Sequence, residues 1–188
     1  MNKEFLEALE ESPIIAAIKD ENGLQKCLSC ESRIIFVLYG DICTIPDIVA
    51  RIKNAGKLAM VHIDLIQGLS GKEVAVDFIR QHTLADGIIT TKPALIKRAS
   101  DLKLFTVLRF FVIDSMAFDN ISKQLHSVRP DVIEILPALM PKVVSRICAL
   151  SKISVITGGL VADKEDVISL LDAGAKCVSS TNENIWFL

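Results

Sequence analysis

Aromatic side chains are scarce in this chain, since phenylalanine, tyrosine and tryptophan make up only 5% of its 188 residues. About half of the chain (51%) is nevertheless hydrophobic, so we expect a core built mainly from Ile, Val, Leu and Ala. Such residues are typical of a parallel sheet buried on both faces, and less so of an antiparallel sandwich. The shortage of aromatic residues also leaves no platform of rings on which RNA bases would stack.

The sequence contains no long hydrophobic run, and its first residues do not predict a leader segment. No stretch approaches the roughly 18 uninterrupted apolar residues of a transmembrane helix, so we expect no membrane partner. Residues 1–11 are polar and acidic, without the basic start and apolar centre of a signal peptide. We therefore expect a cytoplasmic protein.

The sequence has neither an even number of cysteines, as a full set of disulfides would need, nor an excess of positive charge. The five cysteines are an odd number, and in a cytoplasmic protein we expect no disulfides. The motif Cys27-x-x-Cys30 has no second copy and no supporting histidines, so it does not predict a metal or redox site. Because the net charge is −2 at pH 7, any contact with nucleic acid must come from a local basic patch.

Apolar runs of strand length recur at regular intervals, separated by segments with helical periodicity. The runs span residues 14–18, 34–38, 58–63, 87–90, 105–109, 132–136, 153–157 and 176–179. Strands that alternate with helices predict repeated βαβ units and a parallel sheet. Eight strands are the number that closes a (β/α)8 TIM-type barrel, so we predict one small, short-looped barrel domain over residues 1–188. A doubly wound open sheet is the alternative.

Two predicted helices have clear boundaries. Residues 46–55 carry an apolar face and stop at Gly56, as expected at a helix C-terminus. Residues 163–173 begin with Asp163 as a candidate N-cap and stop at Gly174.

Polar residues are concentrated at the carboxyl ends of the predicted strands, where ligands bind in both architectures. In chain order these residues are Lys19, Asp20, Asp41, His62, Asp64, 90–92, Arg109, Glu134, Gly158, Gly159, Ser180 and Thr181. The strand bodies before them are apolar, so this polarity marks one end of the sheet as the candidate site.

The turns after the last two strands predict a phosphate site. Gly158 and Gly159 follow one strand, and Ser180 and Thr181 follow the next. Glycines let the backbone approach a ligand, hydroxyl and N–H groups at a helix start suit an anion, and these turns often hold phosphate in barrels. The alternative is that the glycines only close a turn and the hydroxyls only cap a helix.

Charged residues at other strand ends have two interpretations. Lys19, Arg109 and Glu134 lie among apolar neighbours, where burial is costly unless the charge is paired or meets a ligand. We interpret them as site-lining residues, with a salt bridge across the barrel mouth as the alternative. His62 and Asp64 face the same side and suit either acid–base chemistry or a simple hydrogen-bonded pair. No further metal ligands follow from the sequence, so we predict no metal and no cofactor.

Two stretches are locally basic and are the candidates for RNA contact. They contain Lys92, Lys97, Arg98 and Lys103 in the first stretch, and Lys142 and Arg146 in the second. Solvated helix faces explain both stretches without RNA.

Several strings of residues together resemble a known family. They are VHIDLIQG (61–68), GIITTK (87–92), LRFFVIDS (108–115), IEILP (133–137), TGGL (157–160) and VSSTN (178–182). In this order, and over essentially the whole chain, they resemble the glycerol uptake operon antiterminator regulatory proteins of bacteria. The His-x-Asp-Leu-Ile and Glu-x-Leu-Pro segments are the most specific parts of the resemblance.

The resemblance implies a (β/α)8-like barrel without catalysis that responds to glycerol 3-phosphate. Such a protein binds the leader of a glycerol-operon messenger RNA and prevents premature termination of transcription. The resemblance assigns the phosphate to the two glycine and hydroxyl turns, namely to Gly158, Gly159, Ser180 and Thr181. From their position, Lys19, Asp64, Arg109 and Glu134 would contact the glycerol hydroxyls or the phosphate.

Two other functions fit the same residues. One is an isomerase or epimerase of a small sugar phosphate, with Asp64 or Glu134 as the base. Lys19 or Arg109 would then stabilise an enediolate, but short loops offer little to close over a reactive intermediate. The other is a barrel that binds a small phosphorylated ligand without RNA activity. A homo-oligomer is compatible with each of these functions.

Overall fold

The computed structural model describes residues 3–188, and all eight predicted strands form within that span. The strands are β1 (Ile14–Ile18), β2 (Ile34–Val37), β3 (Leu58–His62), β4 (Gly87–Thr90), β5 (Phe105–Phe111), β6 (Val132–Leu136), β7 (Ser154–Gly158) and β8 (Cys177–Ser180). Each strand pairs in parallel with its neighbours, and β1 pairs with β8, so the sheet closes into a barrel. The predicted TIM-type barrel is therefore confirmed over the open sheet.

Helices cover the outside of the barrel. The α-helices are α1 (Lys3–Glu11), α2 (Glu21–Cys27), α3 (Ile45–Asn54), α4 (Glu73–His82), α5 (Pro93–Asp101), α6 (Ser115–Ser127), α7 (Pro141–Leu150) and α8 (Lys164–Asp172). Helices α2 to α8 follow strands β1 to β7 in turn, and a short 3-10 helix, Glu183–Phe187, follows β8. Within residues 3–188, no helix has the length and apolar character needed to cross a membrane.

The predicted helix boundaries are close to the observed ones. The Asp163 side chain accepts a hydrogen bond from the Asp166 N–H and caps α8, as predicted. Gly56 and Gly174 follow α3 and α8 with positive φ values of 74° and 102°. Strand β5 is longer than predicted and runs to Phe111, which pairs with Leu136 of β6.

Helix α1 was not among the predicted elements, and it closes the amino-terminal end of the barrel. Its Phe5, Ala8 and Leu9 are buried in one cluster with the side chains of the barrel interior. The ring of Phe5 stacks on that of Phe105, with 4.6 Å between the ring centres. Because apolar side chains fill this end, only the carboxyl end of the barrel is available to a polar ligand.

Strand alternation places a polar layer above the apolar interior. Side chains two residues apart on a strand face the same side, and the interior cluster contains residues such as Ala17, Met60, Val107, Val132, Ile156 and Cys177. Two residues further along each of these strands lie Lys19, His62, Arg109, Glu134, Gly158 and Ser179. The carboxyl end of the barrel thus collects polar residues from the ends of five strands and a glycine from β7.

Candidate ligand-binding site

A buried ion pair forms the floor of the barrel mouth. Arg109 of β5 lies directly opposite Glu134 of β6 in the strand register. The Arg109 Nε donates a hydrogen bond to Glu134 Oε2 at 2.6 Å, and the residues are 8% and 0% exposed. The Nη groups of Arg109 have no hydrogen-bond partner within residues 3–188. Both sequence interpretations of this pair, a salt bridge and a site-lining charge, are therefore compatible with its geometry.

The second Glu134 oxygen binds a residue that the sequence analysis did not select. Ser179 Oγ donates to Glu134 Oε1 at 2.7 Å. Gly158 lies beneath this contact, since a Cβ at that position would come within 2.1 Å of Ser179 Oγ and 3.2 Å of Glu134 Oε1. A glycine at 158 is therefore required for the Ser179–Glu134 hydrogen bond to form.

His62 contributes a buried imidazole to the same mouth. The residue is 3% exposed, and its Nδ1 has no hydrogen-bond partner within residues 3–188. Burial, reinforced by the positive charge of Arg109, lowers the pKa of His62 to about 4. The imidazole is therefore neutral at pH 7, with an unused nitrogen that suits a hydroxyl group.

Asp64 lies at the rim, where its own neighbours occupy Oδ2 and Lys92 is paired with Oδ1. It accepts hydrogen bonds from Thr90 Oγ1 and the Thr91 N–H, both at 2.9 Å, and Lys92 Nζ lies 3.0 Å from its Oδ1. Burial alone would raise the pKa of the Asp64 carboxyl, but the hydrogen bonds from Thr91 and Lys92 outweigh burial and lower it. His62 Nδ1 is 4.0 Å from Asp64 Oδ2, too far for a hydrogen bond.

The predicted phosphate turns lie on the same rim. Gly159 and Leu160 both have positive φ, at 82° and 66°, and the Leu160 side chain is 73% exposed. A non-glycine residue in this region is strained, and such strain is often found at ligand-binding loops.

At the end of β8 the two predicted hydroxyl residues differ. Ser180 Oγ accepts from the Asn182 N–H at 3.0 Å, so its hydroxyl is used in the turn itself. Thr181 is exposed and shares the inward side of the strand with Ser179. Lys19, after β1, is also exposed.

The mouth therefore combines cations, a carboxylate, hydroxyls and a neutral imidazole. Cations bind phosphate, whereas the carboxylate, imidazole and hydroxyl groups pair with alcohol groups. Within residues 3–188, no group of three or more His, Cys, Asp or Glu side chains is arranged to hold a metal ion.

The six predicted RNA-contact residues fall into two kinds. Lys92 is paired with Asp64, and Arg98 donates to Asp77 Oδ1 at 3.0 Å and 2.5 Å. Lys97, Lys103, Lys142 and Arg146 are exposed. The guanidinium carbon of Arg146 lies 4.6 Å from the centre of the Phe118 ring, as in a cation–π contact.

The relatives of this chain identify its family. Residues 14–186 match the glycerol-3-phosphate responsive antiterminators. The chain belongs to this family. The chain is 46% identical over 184 residues to the uncharacterized protein YgcP of Escherichia coli (strain K12). The alignment covers 98% of this chain and 96% of YgcP. The predicted family is therefore confirmed, and so is its role in regulating transcription rather than in catalysis.

Solved structures of antiterminator proteins have the same fold. The glycerol uptake operon antiterminator regulatory protein from Listeria monocytogenes str. 4b F2365 has a TM-score of 0.89 at 31% identity, covering 92% of this chain and 94% of that one. A glycerol uptake operon antiterminator-related protein from Thermotoga maritima MSB8 has a TM-score of 0.82 at 32% identity, covering 93% and 98%. Deoxyribose phosphate aldolase from Aeropyrum pernix, at 13% identity and a TM-score of 0.71, shares the fold alone.

Ser179 is the site residue of this antiterminator-family chain that the sequence analysis missed. The predicted strand ended at Ser179 and directed attention to the residues after it. The inward alternation from Cys177 would have selected Ser179, but only the register with β7 and β1 fixes which side of β8 faces inward.

The pKa of His62 predicts an acid-dependent loss of stability. In the unfolded chain this histidine titrates near 6.5, whereas its folded pKa is about 4. Between these values the unfolded state takes up a proton that the folded state does not. The free energy of unfolding should therefore fall by up to about 3 kcal/mol as the pH drops from about 6.5 to about 4. Urea denaturation across this range measures the slope.

The substitution His62→Gln should remove this slope, because glutamine does not titrate. His82→Gln is the matched control, since His82 is exposed at the end of α4, and it should leave the slope unchanged. A wild-type slope in His62→Gln would show that the acid dependence comes from other groups.

Proposed function

We propose that this protein senses glycerol 3-phosphate in the barrel mouth and binds the leader of a glycerol-uptake operon messenger RNA. The family description supports the ligand, and the names of the Listeria and Thermotoga relatives support antitermination in such an operon. The observation that carries the ligand half is the buried Arg109–Glu134 pair at the open end of the barrel. A regulator of nascent transcripts in a bacterium works in the cytoplasm, which we propose as its location.

The phosphate group would lie between cations and the β7–β8 turns. We assign it to Lys19, the Nη groups of Arg109, the Gly158-Gly159 turn, and the turn of Ser180 and Thr181. Arg109 is held in place by Glu134, so little side-chain entropy is lost when it binds an anion. Ser180 would contribute through its backbone, because its hydroxyl accepts from the Asn182 N–H.

The glycerol hydroxyls would lie on the other side of the mouth. Glu134 uses one acceptor site on each oxygen, for Arg109 and Ser179, and a carboxylate has about four such sites. His62 offers its unpaired Nδ1, and Asp64 offers Oδ1, which has no hydrogen-bond partner within residues 3–188 apart from its ion pair with Lys92. A ligand with a phosphate at one end and hydroxyls at the other would match both sides.

Ligand binding would change RNA affinity through linkage. A ligand favours whichever barrel state binds it more tightly, and RNA affinity then changes by the coupling factor between the two sites. The ion pair of Arg109 and Glu134 joins two adjacent strands. A phosphate bound to Arg109 would therefore change the contact between β5 and β6.

Replacing Lys19 should weaken the ligand without harming the fold. Lys19→Gln removes one charged contact with phosphate, and such contacts contribute roughly 1.5–3 kcal/mol, so affinity should drop at least about tenfold. Isothermal titration calorimetry with glycerol 3-phosphate measures this change, with Lys176→Gln as the matched control. Lys176 is exposed and lies just before β8, at the opposite end of the barrel.

The wild-type protein supplies the reference for this titration. Glycerol 3-phosphate at 100 times its dissociation constant should add about 2.7 kcal/mol to the free energy of unfolding. Glycerol or inorganic phosphate should bind more weakly, because each lacks one half of the ligand. If glycerol 3-phosphate produced no stabilisation, the ligand half of the proposal would be wrong.

Filter binding to the leader transcript of a glycerol-uptake operon tests the RNA half. We expect saturable binding that strengthens with glycerol 3-phosphate and weakens steeply as salt increases, because phosphate contacts release counterions. The absence of affinity both with and without the ligand would contradict RNA binding and leave the ligand half standing.

A further inference from the structure

The outer surface formed by α6 and α7 is rich in exposed cations, and its two exposed acids, Asp114 and Asp119, lie at the start of α6. Between residues 120 and 162 every exposed side chain with a formal charge at pH 7 is a cation. These five cations are Lys123, Arg129, Lys142, Arg146 and Lys152. We call this surface the α6–α7 face. A chain with a net charge of −2 therefore has a local basic surface, as a polyanion requires.

The carboxylates of this stretch are turned to internal contacts. Asp131 is half-buried and accepts from the Thr106 N–H at 2.9 Å and from Thr106 Oγ1 at 2.8 Å. Glu134 is fully buried against Arg109. Neither carboxylate neutralises the cations on the outside.

The cations of the α6–α7 face are also unpaired. Within residues 3–188, none of the five lies within 4.0 Å of a carboxylate oxygen. Among the other described residues, seven lysines and arginines form such pairs, namely Lys26, Arg33, Arg51, Lys53, Lys92, Arg98 and Arg109. The first basic stretch of the sequence thus has half of its cations neutralised, whereas the second keeps all of them available to phosphates.

A partly apolar cleft lies between α6 and α7, and Arg146, one of these cations, lines it. It has a volume of about 310 Å³, and its walls include Ile113, Phe118, Met140, Val143 and Arg146. Ile113 at its edge is 81% exposed. Arg146 stacks on Phe118 in the wall, which gives one ring and one guanidinium plane in place of the aromatic platform that the sequence lacks. A flat, partly apolar base suits such a cleft, since unpaired bases bind by stacking on rings and guanidinium planes.

Two acids on the α6 wall also fit a base rather than a phosphate. Asp114 and Asp119 line the cleft, and Asp114 caps α6 by accepting from the Ala117 N–H. Carboxylates accept hydrogen bonds from the amino groups of bases. The cleft is therefore mixed in charge, whereas the exposed charges between residues 120 and 162 are all positive.

The face is connected directly to the ligand site. Helix α6 follows β5, which carries Arg109, and α7 follows β6, which carries Glu134. The N–H of Val112, the first residue after β5, donates to the carbonyl of Leu136, the last residue of β6, at 2.8 Å. A ligand that alters the Arg109–Glu134 contact would therefore alter the spacing of the two helices that flank the cleft.

We propose that the α6–α7 face is the RNA-binding surface, with an unpaired base in the cleft and backbone phosphates on the five cations of the face. The proposal rests on the proposed function, and it replaces the α5 stretch as the site of RNA contact. In this proposal, a ligand in the barrel mouth changes RNA affinity by changing the shape of the cleft.

Two fourfold variants with equal charge change test this face. The first combines Lys123→Gln, Arg129→Gln, Lys142→Gln and Arg146→Gln. The matched control combines Lys72→Gln, Arg80→Gln, Lys97→Gln and Lys103→Gln, which are exposed cations on or next to α4 and α5. Binding of single-stranded RNA of about 16 nucleotides is measured by fluorescence anisotropy at several salt concentrations with saturating glycerol 3-phosphate.

The first variant should lose roughly a hundredfold or more in affinity at about 0.1 M salt. Its slope of log affinity against log salt should decrease by about 3, since each single-strand phosphate contact contributes about 0.7. The control should keep the wild-type slope, and both variants should keep the wild-type stabilisation by glycerol 3-phosphate. Equal losses in the two variants, or a loss in the control alone, would overturn the proposal.

A single substitution tests the cleft separately. Ile113→Ser changes an exposed side chain, so the fold is retained, and it should reduce RNA affinity roughly fivefold with an unchanged salt slope. Unchanged affinity would exclude a base in the cleft.

Sedimentation of the wild type and the first fourfold variant tests whether a second copy of the chain covers the face instead. A wild-type dimer that dissociates in the variant, with RNA binding intact, would assign the face to a second copy of the chain and overturn the proposal. A wild-type protein that binds ligand but no RNA would instead remove the RNA half of the proposed function.

Discussion

The ion pair between Arg109 and Glu134 is the interaction on which the arrangement of the barrel mouth depends. A buried ion pair contributes little net stability compared with apolar residues of the same volume, because both charges lose their hydration. Once present, however, neither charge can be removed without leaving the other buried and uncompensated. This pair fixes the position of a cation whose Nη groups have no partner within residues 3–188. A fixed, incompletely satisfied cation at the one open end of a barrel is suited to an anionic ligand.

Other features of the molecule follow from this pair. Glu134 also accepts from Ser179, and that contact leaves no room for a side chain at Gly158. The charge of Arg109 adds to burial in keeping His62 neutral. The strands that carry the pair lead into α6 and α7, the helices with the unpaired cations. In our proposal one buried contact thus connects a small-molecule site to an RNA-binding surface.

Much of the fold was predictable from the sequence, because each buried parallel strand is a short apolar run and the runs recur at regular spacing. The charged strand ends at Arg109 and Glu134 were also recognisable, since charges among apolar residues need a partner or a ligand. Ser179 was not recognised, because a shift of one residue in β8 reverses which side chains face inward. The separation of paired from unpaired cations depends on contacts such as Lys92 with Asp64, between residues distant in the sequence.

A crystal structure of the protein with glycerol 3-phosphate would test the central claim most directly, because it locates the ligand. Our account predicts phosphate oxygens within about 3 Å of the Arg109 guanidinium or the Lys19 ammonium group, above the Gly158-Gly159 turn. It also predicts that the hydroxyls face Glu134 and His62. A ligand bound outside the barrel mouth, with the Arg109–Glu134 pair unchanged, would contradict the account.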